Sequence, residues 1–178
     1  LGLSPSVLDE GARRLHEELG AGPGQIWILH LGRDGDPRTW PAERFARLGR
    51  ELARRGDRVL VLSGPAEAAT GQHLAHKLRG EQRVSHWIGQ SDLRQLAGFL
   101  TAAAAQGAGF VAGDSGPCHL AAACGLGVSF LSGPQDPLLT GPWPPEGSPG
   151  STHRILRANP GGLGPMTDLE VDGVLNFL

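Results

Sequence analysis

The stretch GFVAGDSGPCHLAAACG, residues 109–125, contains the signals that decide the fold. A short apolar run leads into an acidic loop between two glycines, and an alanine-rich segment follows and ends at Gly125. Pro117 suits the start of a helix because it lacks the amide hydrogen that the first helical turn leaves unbonded, and glycine favours the stop. The stretch therefore predicts a strand, a turn and a helix.

The turn within this stretch has the composition of an anion site. Asp114 and Ser115 precede the predicted helix, where side-chain oxygens cap free amides and where the helix dipole attracts negative charge. Gly113 and Gly116 would let a ligand approach the backbone because neither carries a Cβ atom. A phosphate-binding turn and an ordinary capped strand-to-helix junction are both consistent with these residues alone.

Composition places the chain among globular proteins of one domain. It has 178 residues, of which 39% are hydrophobic and 19% charged, and its formal net charge of −2 gives no reason to expect a nucleic-acid partner. Cys118 and Cys124 lie six positions apart in one predicted helix, which indicates free thiols in a reducing compartment. No apolar run approaches the ~20 residues of a spanning helix, and no signal peptide is recognisable, so we expect a cytoplasmic protein. Because the chain starts with Leu1 rather than methionine, it suggests a piece of a longer protein.

Apolar runs and helical periodicities alternate along the chain. An amphipathic helix over residues 4–19 precedes the first strand, and we interpret residues 1–24 as a linker or docking helix. In residues 25–178 the predicted strands are 25–31, 58–63, 84–88, 110–112, 128–131 and 154–156, and the predicted helices are 41–56, 66–78, 91–105 (capped by Ser91), 117–124 and 169–178. This alternation predicts an α/β fold with a Rossmann-like, doubly wound parallel sheet of about six strands.

Polar residues follow five of the predicted strands. They are His30 with the loop that follows it, and residues 63–67, 89–92, 114–119 and 132–136. Because the carboxyl ends of parallel strands share one edge of the sheet, we expect these segments to converge on one crevice, where this fold class binds its ligands. The sequence has neither a GxGxxG fingerprint after the first strand nor a Walker lysine motif, so no motif supports NAD binding or ATP hydrolysis.

Several polar residues have two interpretations each. Asp34 and Asp36 form a DxD pair that suits a divalent cation, although before Pro37 such a pair is more typical of a surface turn. His119 can donate to a phosphoryl oxygen or pack at the start of its helix. Glu67 can accept both hydroxyls of a ribose or stabilise the first turn of its helix.

Six short motifs follow one another between residues 28 and 137. They are His-x-Gly at 30–32, Arg-x-Trp-Pro at 38–41, Gly-Pro-Ala-Glu at 64–67, Ser-Asp-Leu at 91–93, Gly-Asp-Ser-Gly-Pro with a histidine at 113–119, and Gly-Pro-x-Asp-Pro at 133–137. In this order they resemble the C-terminal, donor-binding domain of the glycosyltransferase family 9 enzymes, the ADP-heptose:lipopolysaccharide heptosyltransferases.

The resemblance implies one half of a two-domain GT-B enzyme that transfers a sugar with inversion and without a metal cofactor. The implied partners are an ADP-sugar donor and a lipid-linked saccharide acceptor at the cytoplasmic face of the membrane, with peripheral membrane association. Glu67 would bind the ribose or base, and residues 91–93 would lie near the base. The full implied set of donor-binding residues is Arg38, Glu67, Ser91, Leu93, Asp114, Ser115, Gly116 and His119.

The chain departs from the family pattern in two ways. Arg38 stands where many members carry a lysine, which keeps the charge but changes its geometry. The acceptor-binding N-terminal half, which carries the general base in the family, is absent, so we identify no catalytic residue and expect donor binding without transfer by this chain alone. A stand-alone nucleotide-binding module and a different GT-B-like enzyme, such as a UDP-sugar transferase or an epimerase, are the alternatives.

Overall fold

Strands and helices alternate along residues 2–90 and 92–178, the part of the chain that the computed structural model describes. The strands are β1 (Ile26–His30), β2 (Arg58–Leu62), β3 (Val84–Trp87), β4 (Gly109–Ala112), β5 (Gly127–Ser132) and β6 (His153–Arg157). The helices are α1 (Pro5–Leu19), α2 (Ala42–Arg54), α3 (Ala68–Lys77), α4 (Leu93–Ala105), α5 (Gly116–Ala123), α6 (Pro137–Thr140) and α7 (Val171–Phe177).

The six strands form one sheet in the order β3-β2-β1-β4-β5-β6, and every neighbouring pair is parallel. The predicted Rossmann-like α/β fold is therefore confirmed. The strand order reverses direction between β1 and β4, and doubly wound sheets open a crevice at such a point. Chain segments after β1 and β4 consequently lie on either side of this crevice.

Consecutive residues of each central strand pack on opposite faces of the sheet. Ile28 and Phe110 belong to one buried cluster with residues of α4 and α5, whereas Leu29 and Val111 belong to a second with residues of α2, α3 and α7. Both faces of the strands are thus covered, which explains why the strands appear in the sequence as continuous apolar runs rather than alternating ones.

Helix α1 packs on α4 backbone to backbone, an arrangement that we call the α1–α4 contact. A Cβ atom on Gly11 would lie 2.2 Å from the carbonyl carbon of Gly98, and one on Gly98 would lie 2.4 Å from the carbonyl oxygen of Val7. Next to this crossing, the Arg14 guanidinium lies over the Trp87 ring at 4.7 Å. Only glycine permits so close an approach of two helices.

Two local features differ from the sequence expectations. The cap of α4 is Asp92, whose carboxylate accepts from the amides of Arg94 at 2.8 Å and Gln95 at 3.1 Å; the predicted cap, Ser91, lies outside the described residues. Residues 133–150, a stretch rich in proline and glycine in which the sequence predicts no helix or strand, contain α6, which Asp136 caps. Among the described residues, no helix combines the length and the apolar character that crossing a bilayer requires.

Candidate functional site

A cavity of about 530 Å³ opens at the carboxyl edge of the sheet, where the strand order reverses, and we call it the β1–β4 cavity. Its walls come from the end of β1, the loop after it, the turn after β2 and the first residues of α4 and α5. Six predicted donor-binding residues line it, namely Arg38, Glu67, Leu93, Asp114, Ser115 and Gly116. His119 lies beside them, with its Nε2 3.4 Å from Asp114 Oδ1, and Ser91 falls outside the described residues.

Arg38 is held between two carboxylates at the cavity wall. Its Nε and Nη2 donate to Asp36 at 3.0 and 2.7 Å, and its Nη1 donates to Asp114 Oδ2 at 3.1 Å. Hydrogen bonds from Arg38 lower the pKa of Asp36 to about 2, and those to Asp36 and Asp114 raise the pKa of Arg38. The guanidinium therefore stays charged and is fixed in direction without being buried.

The loop between β1 and α2, residues 31–41, which we call the Arg38 loop, is anchored by Trp40. The indole is fully buried, meets the Phe45 ring edge-on at 4.9 Å and donates from Nε1 to the carbonyl of Leu169 at 2.8 Å. The amide of Thr39 donates to the carbonyl of Asp36 at 2.9 Å, which closes a turn within the loop. Asp36 thus closes the turn with its carbonyl and holds Arg38 with its carboxylate. Across residues 2–90 and 92–178, no three His, Cys, Asp or Glu side chains are grouped as a metal site requires.

The start of α5 is not an ordinary capped strand-to-helix junction. Ser115 occupies the N-cap position, but its hydroxyl makes no capping hydrogen bond and lies 3.3 Å from His30 Nδ1 instead. Of the two interpretations that the sequence left open, the ordinary junction capped by Ser115 is therefore not the one that the structure shows. Helix α5 begins at Gly116, with Pro117 as its second residue, so the hydroxyl and the first helical amide both lie at the cavity wall.

The two glycines of the motif have different surroundings. A Cβ atom on Gly116 would have no other heavy atom within 4 Å, so a ligand can approach the backbone there. A Cβ atom on Gly113 would lie 2.6 Å from the carbonyl oxygen of Arg38. The predicted role of Gly113 in ligand approach is wrong, because this glycine makes room for the Arg38 loop.

Glu67 lies in the short turn after β2. One of its carboxylate oxygens accepts from the amide of Gly64 at 3.1 Å, which closes the turn, while the half-buried side chain still lines the cavity. A structural contact and a position suited to a ribose hydroxyl therefore occur together. Leu93 lines the same cavity with an apolar side chain, and 66% of this residue is exposed.

Two buried polar residues that the sequence placed at the crevice, without a donor-binding role, line the cavity. His30 ends β1, is 5% exposed and lies nearly parallel to the Phe110 ring at a centroid distance of 6.3 Å. Burial lowers the pKa of His30 to about 4, so its imidazole is neutral near neutral pH. Gln90, 9% exposed, follows β3; its backbone N–H donates to the carbonyl of Ser63 at 3.0 Å, and its side-chain amide donates to the carbonyl of Asp92. The available signal was position, since both follow or end strands at the carboxyl edge.

A second cavity, of about 620 Å³, lies against the other side of the Arg38 loop. Leu31, Trp40, Phe45, Leu163 and Met166 line it, and it shares Gly32, Asp36 and Thr39 with the first. Among the described residues on its wall there is no arginine, lysine or histidine. We call it the apolar cavity, and its chemistry does not suit a diphosphate.

Comparison with known sequences identifies relatives of this chain. A family model described as glycosyltransferase family 9 (heptosyltransferase) matches residues 6–152. Over 110 residues the chain is 28% identical to lipopolysaccharide heptosyltransferase 2 of Salmonella typhimurium, a match that covers 61% of this chain and 30% of that protein.

Solved structures share the fold. The ADP-heptose lps heptosyltransferase II of E. coli superposes with a TM-score of 0.75 at 22% identity, over 99% of this chain and 51% of that one. A glycosyltransferase family 9 protein of Veillonella parvula gives 0.76 at 18% identity, with the same coverage. The E. coli heptosyltransferase WaaC, solved with ADP, gives 0.69 at 26% identity over 93% of this chain and 47% of that one. The chain thus spans about half the length of these structures.

Proposed function

Because the chain belongs to glycosyltransferase family 9, we propose that the β1–β4 cavity binds the nucleotide diphosphate of a sugar donor, ADP-heptose. One observation carries the proposal: the Arg38 guanidinium and the open start of α5 at Gly116 line the same cavity. A guanidinium pairs with phosphate oxygens, and the first amides of a helix bind anions. In this proposal residues 25–178 form the donor-binding domain, and α1 is a helix that docks on this domain.

The same groups suit the chemistry of an inverting transfer. When the sugar leaves the donor, negative charge develops on the departing diphosphate, and fixed donors aimed at that charge lower the barrier. Arg38 is held in place by Asp36 and Asp114, so it needs no rearrangement to act. We propose that the guanidinium and the α5 amides neutralise the leaving group without a metal ion.

The nucleoside end of the donor lies on the opposite wall of the cavity in this proposal. Glu67 accepts from the ribose hydroxyls through the oxygen that does not bond Gly64, and the exposed Leu93 side chain packs against the base. Apolar contact with one face of a base and a carboxylate on the ribose are common elements of nucleotide recognition.

The remaining parts of the reaction belong to the half of the relatives' length that this chain does not span. We assign to it the general base and the acceptor, a lipid-linked saccharide of the lipopolysaccharide type. Similarity to a lipopolysaccharide heptosyltransferase supports this acceptor class. Action at the cytoplasmic face of the membrane, with peripheral association, is part of the same proposal.

Calorimetric titration with ADP, UDP and GDP, each in Mg²⁺ and in EDTA, tests the proposal. We expect ADP to bind best and with the same affinity in both buffers, because the charge on the diphosphate is met by protein groups. Adenosine is the matched control and should bind at least about 30-fold more weakly, since it lacks the groups that Arg38 contacts. A strict Mg²⁺ requirement, or equal affinity for adenosine and ADP, would contradict the proposal, and a preference for UDP would favour a UDP-sugar enzyme.

A further inference from the structure

We propose that His30 is a positioning residue, which holds the Ser115 hydroxyl at the cavity wall so that the hydroxyl donates to a phosphoryl oxygen of the donor. The inference deepens the proposed function and rests on it. It assigns a role to a histidine at the end of β1 that contributes no charge to the site.

The local sequence removes the usual partner of an N-cap serine. Such a hydroxyl ordinarily accepts from the amide of the second or third helical residue. The second residue of α5 is Pro117, which has no amide hydrogen, and the amide of the third, Cys118, donates to the carbonyl of Ser115 at 3.0 Å. Neither of the two positions that ordinarily donate to an N-cap hydroxyl therefore has an amide hydrogen free to do so, and a group outside the helix sets the direction of the hydroxyl.

His30 supplies that group. Its Nδ1 lies 3.3 Å from Ser115 Oγ, and the ring is fixed by burial and by the parallel Phe110 ring. A neutral imidazole carries one N–H, and with that hydrogen on Nδ1 it donates to Ser115 Oγ. The hydroxyl hydrogen is then left to point into the cavity, beside the open backbone of Gly116.

The chain contains a matched pair that tests whether location matters. His153, 4% exposed, also places its Nδ1 beside a serine hydroxyl, that of Ser151, at 3.2 Å. This pair lies at the amino end of β6, whereas His30 lies at the carboxyl end of β1. Because the sheet is parallel, the two pairs are at opposite edges, and only His30 and Ser115 line the β1–β4 cavity.

ADP affinities of wild type, His30→Leu, Ser115→Ala, the double variant, His30→Asn and His153→Leu test the inference. We expect His30→Leu and Ser115→Ala each to lower the affinity for ADP about tenfold, the value of one hydrogen bond to a charged group. The double variant should lose no more affinity than either single variant. Asparagine places an amide N–H near the position of Nδ1, so His30→Asn should stay within about threefold of wild type. His153→Leu should bind ADP as wild type does.

Other outcomes overturn the inference. If ADP binds the wild type and His30→Leu equally, if the two single effects multiply in the double variant, or if Ser115→Ala binds normally, His30 does not act through Ser115 and the proposed function survives. If wild type does not bind ADP, both fail. Should His30→Leu not fold, the ¹⁵N shift of Nδ1 in the ADP complex of wild type decides: a protonated nitrogen supports the inference, and an unprotonated one contradicts it.

Discussion

The α1–α4 contact and the β1–β4 cavity use the same kinds of residue for different purposes. At the α1–α4 contact, Gly11 and Gly98 make room for the backbone of the opposite helix, and Arg14 lies over an indole. At the cavity, Gly116 faces open space and Arg38 is held at the wall by carboxylates. What surrounds a glycine or an arginine, rather than its presence, therefore separates a packing site from a binding site.

The largest expected effect is a loss of stability at the α1–α4 contact. Gly98→Val would drive side-chain atoms into the backbone of α1, because even a Cβ atom would lie 2.4 Å from the carbonyl of Val7. We expect the free energy of unfolding to fall by about 3 kcal/mol or more, in the range of severe overpacking. Chemical denaturation measures it, and ADP affinity of the remaining folded protein should be unchanged. Full stability in this variant would contradict the described helix crossing.

Acid affects the cavity through His30. The folded pKa of about 4 is below the ordinary value of 6.5, so the unfolded chain binds the proton first, and stability is lost as the pH falls from 6.5 to 4. The contribution of His30 is at most about 3 kcal/mol over this window. Denaturation of His30→Leu across the window should show a smaller loss than wild type, with a residual slope from His86 and His153, whose pKa values burial also lowers. Identical slopes would mean that His30 titrates normally.

Arginine substitutions compare the two regions directly. Arg38→Ala should lower the affinity for ADP about 30-fold, because it removes a charged donor and leaves two carboxylates near the proposed position of the diphosphate. Its stability should change by less than about 1 kcal/mol, since the Arg38 side chain is 40% exposed and such ion pairs contribute little. Arg14→Ala is the matched control: it should lower stability through lost contact with Trp87 and leave ADP affinity intact. A loss of ADP affinity in Arg14→Ala, with unchanged affinity in Arg38→Ala, would contradict the roles assigned to the two arginines.

The smallest effects separate the two glycines of one motif. Gly116→Ala should leave the melting temperature unchanged, because its Cβ meets open space, and should weaken ADP about tenfold by occupying the ligand's approach. Gly113→Ala should instead destabilise the protein by about 1 kcal/mol or more, since its Cβ would meet the carbonyl of Arg38. Thermal unfolding and titration of both variants measure the contrast. Equal behaviour of the two would remove the distinction between packing and binding glycines.

The sequence could predict the elements better than their arrangement. The central strands β1, β2, β4 and β5 are mainly apolar runs, and helices such as α2 and α4 repeat apolar residues at helical spacing, so the predicted bounds lie close to those of the structure. The strand order was out of reach because no periodicity encodes which strands are neighbours. The conformation of the Arg38 loop was out of reach as well, because its anchor is the hydrogen bond from Trp40 to Leu169, a residue 129 positions away in the chain.

The site was predictable where charge and glycine mark it and not where buried groups complete it. Arg38, Asp114 and Gly116 stand out as polar or flexible residues after strands, and they line one cavity. The sequence placed His30 at the crevice by its position at the end of a strand, and nothing in its apolar surroundings indicates which side chain it contacts. The direction of the Ser115 hydroxyl depends on the missing amide hydrogen of Pro117 and on His30, 85 positions earlier in the chain. Only the folded chain brings Ser115 and His30 together.

Amide chemical-shift mapping of an ADP titration tests the location of the diphosphate most directly. The account predicts that the largest changes fall on the amides of Ser115 and Gly116, with further changes at Arg38, and that residues of the apolar cavity such as Leu163 and Met166 change little. Shifts concentrated on Leu163 and Met166, with Ser115 and Gly116 unmoved at saturation, would contradict it.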